Sequence, residues 1–124
     1  MSESSQSRRR VGIGLPVFNG ERYLQAAIES ILAQDFTDFD LVICDNASTD
    51  ATREIAERFV RQDPRVRYQR NAENLGAARN YNLAVQACGG DYFKWAAHDD
   101  LLEPSFLRRC VAEADKGHHR VQVV

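Results

Sequence analysis

The 124-residue sequence lacks several features that mark specialised classes of protein. It has no apolar stretch approaching the ~18 residues that a membrane-spanning helix requires, so we expect these residues to be soluble. The 16 Lys and Arg residues are outnumbered by 18 Asp and Glu, which gives a net charge of -2 at pH 7. That balance provides no broad cationic surface for neutralising phosphates, so no nucleic-acid partner is expected.

Cysteines are also few, and their arrangement is informative. Cys44, Cys88 and Cys110 are odd in number, widely separated and embedded in apolar runs. This pattern favours reduced thiols in a cytoplasmic core over disulfides. Because no Cys-x-x-Cys or His-rich spacing accompanies them, neither a zinc site nor a Cys nucleophile is predicted.

The first ten residues differ in composition from the rest. Met1 to Ser7 is polar, contains no apolar segment and is followed by the only basic run, Arg8 to Arg10. This indicates a disordered tail over residues 1–10 rather than a signal peptide, with a weak anchor to anionic lipid as the alternative. Residues 11–124 have the length of one compact domain.

Within residues 11–124, apolar strands alternate with turns and amphipathic helices. This order predicts an α/β fold, with a mostly parallel sheet and flanking helices. The predicted strands are Val11 to Val17, Leu41 to Cys44, Val66 to Arg70, Tyr92 to Ala97 and Val121 to Val124. The predicted helices are Glu21 to Gln34, Asp50 to Asp63, Ala77 to Cys88 and Pro104 to Gly117. The chain stops within the last strand, so we expect it to be truncated.

Helical spacing predicts which side chains of each helix meet the sheet. In the first helix these are Leu24, Ile28, Ile31 and Leu32. In the third helix they are Ala78, Tyr81, Val85 and Cys88.

Polar residues follow three of the predicted strands, where an open α/β sheet collects its ligands. They are Pro16, Phe18, Asn19 and Glu21, then Asp45, Asn46, Ser48 and Asp50, and finally His98, Asp99 and Asp100. Taken singly, each has a structural alternative: Asn19 and Asp50 as helix caps, Asp45 as a turn residue. Together they predict a ligand site at one edge of the sheet.

The acidic pair Asp99-Asp100 is the strongest candidate for a metal site. Adjacent like charges after a buried strand repel one another unless water or a cation relieves them. A divalent ion held by one or two carboxylates keeps positions open for phosphate oxygens and stabilises a departing diphosphate. The alternative is a solvated cap before the helix at Pro104.

The sequence has no glycine-rich phosphate loop. Gly12 and Gly14 precede no Gly-x-x-x-x-Gly-Lys-Ser/Thr run, so neither a P-loop nor a dinucleotide fingerprint is predicted. A nucleotide would instead be held by base contacts and a metal-bound diphosphate. Phe18 could stack on a base and Asp45 could accept from a ring N–H, although Phe18 is equally consistent with a core residue.

Several of these segments occur together, and in the same order, in one known family. They are Pro16 to Glu21, Ser30 to Gln34, Asp45 to Thr52, Asn74 to Asn80, Gly90 to Tyr92, and Asp99-Asp100. From Val11 to its last residue, the chain resembles family 2 glycosyltransferases of the GT-A fold, which are inverting enzymes that use nucleotide-activated sugars. The resemblance implies the Rossmann-like, nucleotide-binding half of that fold.

The resemblance also implies roles for individual residues. The nucleotide-sugar site would comprise Pro16, Phe18, Asn19, Glu21, Asp45, Asn46, Ser48, Arg79 and Asp99. Asp99 and Asp100 would bind Mn²⁺ or Mg²⁺, and Asp45 would suit the ring N–H of a UDP- or dTDP-sugar. The sequence departs from the family twice: Phe18 stands where Tyr is common, and Ala97 stands where many members have the first acid of Asp-x-Asp.

In such enzymes the catalytic base lies in the acceptor-binding half. We therefore expect it beyond Val124, assign no catalytic residue here, and expect little activity from the isolated chain. The acceptor would be a saccharide, lipid or protein in bacterial cell-envelope polysaccharide synthesis, in the cytoplasm and at the inner face of the membrane. The alternatives are a phosphoacceptor α/β signalling domain and a non-catalytic nucleotide- or sugar-binding module.

Overall fold

Strands and helices alternate throughout the computed structural model, which describes residues 9–116. The elements are β1 (Val11–Val17), α1 (Leu24–Leu32), β2 (Phe39–Asp45), α2 (Thr52–Gln62), β3 (Val66–Arg70), α3 (Ala77–Ala87), β4 (Tyr92–Trp95) and α4 (Phe106–Lys116). None of these helices is both long and apolar enough to cross a membrane. The predicted strand at Val121 to Val124 lies outside the described residues.

The four strands form one parallel sheet in the order β3-β2-β1-β4. Val11 of β1 lies opposite Phe39 of β2 on one side and Tyr92 of β4 on the other. All seven residues of β1 are buried, because it is central in the sheet and helices cover both of its faces. The predicted α/β fold with a parallel sheet and flanking helices is confirmed.

The two faces of the sheet are covered differently. On one face, the odd-numbered β1 residues Ile13 and Leu15 belong to a large apolar cluster that includes residues from α1, α2 and α4. On the other face, Val42 and Cys44 of β2 form a small cluster with Ala84 of α3. Among residues 9–116, α3 is therefore the one helix that covers the second face, and it lies next to the strand ends where ligands are expected.

Gly12 and Gly14 are explained by the close approach of α3 rather than by phosphate binding. A Cβ at residue 12 would lie 2.6 Å from the Gly89 carbonyl oxygen and 2.7 Å from Cys88 Cβ. A Cβ at residue 14 would lie 2.9 Å from Ala84 Cβ. Only residues without a side chain let the end of the helix pack directly on the strand.

We expect Gly12→Ala to lower the free energy of unfolding by about 1–3 kcal/mol, since the added methyl group meets atoms that cannot move independently. Urea unfolding followed by circular dichroism measures this loss. Gly89→Ala is the matched control, because a Cβ there has no neighbour within 4 Å. Equal stability of the two variants would contradict the packing explanation.

The predicted inward face of α3 is right for Cys88, which packs against the cluster of Val42, Cys44 and Ala84, but wrong for the helical turns before it. Tyr81 is 41% exposed and Val85 is 37% exposed, whereas Asn80 and Ala84 are buried. Because α3 packs closely on the β1 glycines, the side of the helix that carries the small residue Ala84 faces the sheet. Asn80 lies on that side and forms hydrogen bonds there. Side-chain hydrophobicity therefore indicated the wrong face.

Several predicted boundaries also differ, most clearly those of α1 and β4. Helix α1 begins at Leu24 rather than Glu21, because backbone and side-chain groups of residues 19–21 bond to the loop after β2. It ends at Leu32, and the Gln34 side chain instead bonds to the Glu103 carbonyl and the Leu107 N–H. Strand β4 ends at Trp95 rather than Ala97.

Arg9 and Arg10 make defined contacts, although the sequence predicts that they belong to a tail. Arg10 Nη2 lies 2.7 Å from Asp115 Oδ1, and Arg9 Nε lies 3.4 Å from Asp40 Oδ1. The Arg10 carbonyl also accepts from the Tyr92 N–H. The packed domain therefore includes both arginines, whereas residues 1–8 lie outside the described residues.

The cysteines are unpaired, as predicted. Burial raises the pKa of the Cys44 thiol to about 11 and that of Cys88 to about 12. Both thiols are therefore protonated at neutral pH and poorly nucleophilic, as expected for structural cysteines.

Candidate functional site

The loops that follow β1 and β2 are bonded to each other at the carboxyl edge of the sheet. The Asn19 N–H donates to Ser48 Oγ (2.8 Å), and Asn19 Oδ1 accepts from the Thr49 N–H (2.8 Å). Asn19 has a φ of 51°, a left-handed conformation that asparagine tolerates better than most residues. Asn19 and Ser48 thus join two loops, and Asn19 is not a helix cap.

Glu21 and Asp50 complete this connection. Glu21 Oε1 accepts from the Ala51 N–H (2.9 Å), while the Glu21 N–H donates to Asp50 Oδ2 (3.1 Å). Asp50 Oδ1 accepts from the Thr52 N–H (2.9 Å), but the N-cap position of α2 is Ala51, one residue after the predicted cap at Asp50. Burial opposes the charge on Asp50, but hydrogen bonds from Thr52 and Glu21 outweigh it and lower its pKa.

Asp45 is fully buried at the end of β2. Its Oδ1 accepts from the Ser48 N–H (2.9 Å), and its Oδ2 accepts from Tyr68 Oη (2.6 Å) and Arg70 Nη1 (3.2 Å). Burial and the bond to Asp45 raise the pKa of Tyr68 to about 12. Through its contact with Ser48, Asp45 therefore acts as a turn residue, which was the alternative interpretation of it. It also joins β2 to β3.

Four asparagines hold the loop between β3 and α3. Asn46 Nδ2 donates to Asn74 Oδ1 (2.8 Å), and Asn46 Oδ1 accepts from Asn71 Nδ2 (2.9 Å) and from the Leu75 N–H (2.9 Å). Asn80 Nδ2 donates to the Cys44 carbonyl (2.9 Å), and Asn80 Oδ1 accepts from Asn71 (3.0 Å). These amides fix the loop against the end of β2.

A cavity of about 360 Å³ lies between this loop, the end of β1 and the turn after β4. We call it the strand-end cavity. Its lining residues are Pro16, Val17, Phe18, Asn46, Asn74, Gly76, Ala77, Asn80, Tyr81 and His98. The volume falls within the range of small-molecule sites. The wall combines two exposed aromatic rings, three amides and the first turn of α3.

The structure brings only some of the predicted site residues to this cavity. Pro16, Phe18 and Asn46 line it. Asn19, Glu21, Asp45 and Ser48 lie in the hydrogen-bonded loops behind it. Arg79 is exposed on α3 and Asp99 is exposed after β4, and neither is among the lining residues. Asp100 lines a second cavity.

Several residues of the site were not predicted from the sequence. Tyr68 and Arg70 of β3 bond to Asp45, while Asn74, Asn80 and Tyr81 line the strand-end cavity. Asn80 had a usable signal, since it shares helical spacing with Ala84 and Ala87. A polar residue on a small-residue face indicates a buried hydrogen-bonding position.

Asp99 and Asp100 fit a divalent ion that arrives with a phosphate ligand, but not a preformed metal cage. Both are exposed in the turn after β4. Residues 9–116 contain no group of three or more His, Cys, Asp or Glu side chains placed to hold a metal. Mn²⁺ and Mg²⁺ accept one or two carboxylates together with substrate phosphate oxygens, which is the donor set that this pair offers.

Known sequences resemble the chain over most of its length. The chain is 37% identical over 106 residues to chondroitin synthase of Escherichia coli, a match that covers 86% of the chain and 15% of that protein. It is 35% identical over 116 residues to the putative glycosyltransferase EpsE of Bacillus subtilis, covering 93% of the chain and 41% of that protein. The chain therefore spans less than half the length of these relatives.

Solved structures resemble it as well. S. aureus TarS 1-349 in complex with UDP superposes with a TM-score of 0.81 at 25% identity, covering 88% of this chain and 33% of that one. Mannosyltransferase PcManGT from Pyrobaculum calidifontis, in complex with GDP-Man and Mn²⁺, gives a TM-score of 0.73 at 26% identity, covering 90% and 32%. The model of glycosyl transferase family 2 matches residues 13–124. The chain therefore belongs to glycosyl transferase family 2, as its sequence motifs predicted.

Proposed function

We propose that this chain binds the nucleotide-sugar donor of a glycosyltransferase in the strand-end cavity. The observation that carries the proposal is the cavity itself, which lies at the carboxyl ends of β1 and β2 and is lined by two exposed aromatic rings and three amides. Parallel α/β sheets bind nucleotides at this edge. Relatives bound to UDP, UDP-GlcNAc and GDP-Man support the same ligand class.

The nucleobase is the part of the donor that Phe18 recognises. The Phe18 side chain is 45% exposed at the cavity, so its ring is available for stacking. The amides of Asn46, Asn74 and Asn80 are already bonded to one another or to the backbone, so they shape the wall rigidly. Asp45 supports the base pocket from behind, through its bonds to Ser48 and Tyr68.

The diphosphate lies toward the turn after β4 and the first turn of α3. Helix α3 begins at Ala77, with no side chain capping its N–H groups, and Gly76 and Ala77 line the cavity. Free N–H groups at a helix start attract phosphate oxygens. Asp99 and Asp100 would hold Mn²⁺ or Mg²⁺, which would stabilise the negative charge on the departing diphosphate. Arg79, exposed on α3, adds positive charge at its edge.

The whole protein would transfer the donor sugar to an acceptor hydroxyl with inversion, by in-line displacement of the nucleotide diphosphate. The residue that deprotonates the acceptor would lie beyond Val124, so the isolated chain would bind donor but transfer poorly. Chondroitin synthase among the relatives favours a saccharide acceptor. Bacterial relatives favour a role in cell-envelope polysaccharide synthesis at the inner face of the membrane.

We expect Phe18→Ala to weaken UDP binding by about tenfold, because stacking of a base on an aromatic ring contributes ~1–3 kcal/mol. Isothermal titration calorimetry in Mn²⁺ buffer measures the change. Phe18→Tyr keeps the ring and should bind UDP like the unmodified protein. The free energy of unfolding of Phe18→Ala should stay within about 0.5 kcal/mol of the unmodified value, since the ring is half exposed.

Tyr23→Ala is the matched control for this experiment. Tyr23 is also an exposed aromatic residue, at 50%, but it is not among the residues that line the cavity. Its loss should leave UDP affinity unchanged. If both alanine variants bind UDP equally well, Phe18 has no part in base recognition. If no nucleotide diphosphate binds the unmodified protein with Mn²⁺ present, the donor-binding function itself is wrong.

A further inference from the structure

A second cavity, of about 370 Å³, adjoins the strand-end cavity. Lys94 of β4 lines it, and we call it the Lys94 cavity. Tyr81 borders both cavities, so the two spaces adjoin at this side chain. Asp100 of the acidic pair also lines the Lys94 cavity. Asp100 is the one lining residue that the donor-binding proposal uses, as a metal ligand.

Lys94 is an unusual residue for the interior of a strand, because it is only 7% exposed. Its Nζ donates to one acceptor, the Trp95 carbonyl oxygen (3.1 Å), and lies 5.0 Å from the centre of the Phe106 ring. No salt bridge within residues 9–116 includes Lys94. A buried ammonium costs free energy unless it is paired, so this cavity is suited to an anion.

Burial disfavours the ammonium form of this side chain. It lowers the pKa of Lys94, and electrostatic attraction to Cys110 and Asp100 opposes that shift only in part. Two of the three ammonium N–H groups have no partner among the described residues. An anionic group that entered the cavity could accept from both.

The remaining walls favour a ligand that is hydroxylated as well as charged. Asp100 is exposed and lines the cavity, and a carboxylate accepts hydrogen bonds from hydroxyl groups. Trp95 and Tyr81 lie on another side with their ring centres 5.8 Å apart, and their rings can cover the apolar C–H face of a sugar ring. A neutral sugar would leave Lys94 unpaired, and a bare anion would leave the rings and Asp100 unused.

We propose that the Lys94 cavity binds a sugar that carries one anionic group, a carboxylate or a phosphate. Lys94 accommodates the anion, Asp100 accepts from a hydroxyl, and Trp95 packs on the ring. Because the cavity adjoins the donor site, this ligand is the end of the acceptor. That last assignment depends on the proposed donor function, whereas binding of the anionic sugar does not.

Trp95 provides a direct test, because it is the only tryptophan in the sequence and it lines the cavity. Its fluorescence is titrated with glucuronate, glucose 6-phosphate and glucose, which share a ring and differ in charge. We expect at least one charged sugar to bind about tenfold or more tightly than glucose, the effect of one charge-assisted contact. A preference for glucuronate identifies a carboxylate ligand, and a preference for glucose 6-phosphate identifies a phosphate ligand.

Lys94→Met removes the charge and keeps the length of the side chain, so it should abolish the preference for charged sugars. Lys116→Met is the matched control, because Lys116 is the only other lysine and its side chain is 73% exposed. Lys94→Arg should retain the preference, which tests the charge even if Lys94→Met folds poorly.

Equal binding of all three sugars, no binding of any, or an unchanged preference in folded Lys94→Met would overturn the proposal. UDP titrated with Mn²⁺ into the same protein tests the donor function separately. Loss of UDP binding with retained anionic-sugar binding would refute the donor function and leave the Lys94 site standing.

Discussion

Asp45→Ala should lower the free energy of unfolding by about 3 kcal/mol. Asp45 is fully buried and its two carboxylate oxygens accept from Ser48, Tyr68 and Arg70. Removing one member of a buried, charged network typically costs ~3–5 kcal/mol. The lower end applies here because the Arg70 side chain is 32% exposed and can be rehydrated. Urea unfolding at pH 7, followed by Trp95 fluorescence and circular dichroism, measures the loss.

A double-mutant cycle separates this network from a general effect of losing an acid. Tyr68→Phe removes one hydroxyl and should cost about 1 kcal/mol alone, but less when Asp45 is already Ala. Glu73→Ala is the matched control, because Glu73 is an exposed acid in the loop after β3 and its loss should cost under about 0.5 kcal/mol. Strictly additive losses for Asp45 and Tyr68 would show that their contact contributes nothing.

The double substitution Asp99→Asn and Asp100→Asn should reduce the Mn²⁺-dependent part of UDP affinity by at least about tenfold. Changes to groups that merely support a metal ligand already cost ~10–100-fold in metal affinity, and these are the carboxylates themselves. Both side chains are exposed, so the variant should fold normally. Calorimetric titration of UDP, with and without Mn²⁺, isolates the metal-dependent part.

Glu73→Gln removes one exposed carboxylate at a distance from the acidic pair in sequence, so it is the charge-matched control for each single substitution at Asp99 and Asp100. It should leave the effect of Mn²⁺ intact. Each single substitution at Asp99 and Asp100 then shows which carboxylate contributes more. If Mn²⁺ strengthens UDP binding equally in the double variant, the pair is a solvated turn and the metal lies elsewhere.

Periodicity predicted most of the fold because this sheet is parallel and buried on both faces. Strands such as Val11–Val17 are apolar throughout, and helices such as α4 repeat their apolar residues at helical spacing. The same reasoning failed for α3, where Asn80 and Ala84 rather than Tyr81 and Val85 face the sheet. There the space left by the β1 glycines decided the orientation, and that space depends on two segments far apart in sequence.

The sequence predicted the location of the candidate site better than the contacts that its residues make. Pro16, Phe18 and Asn46 line the strand-end cavity, because parallel strands bring their carboxyl ends to one edge. The buried role of Asp45 depends on Tyr68 and Arg70, whose positions follow from the pairing of β2 with β3. Charge in a loop indicates a site, but whether that charge faces a ligand or another loop depends on long-range contacts.

The sequence by itself determined the family, the order of the elements and the edge of the sheet at which the strand-end cavity lies, because these depend on local patterns and chain order. Only the tertiary structure decided which polar groups face the strand-end cavity and that Lys94 is buried beside a second one. The sequence of β4 does not by itself indicate that Lys94 is buried. Its unpaired charge arises from how β4, Phe106 and the turn at Asp100 pack around it, and no single segment encodes that packing.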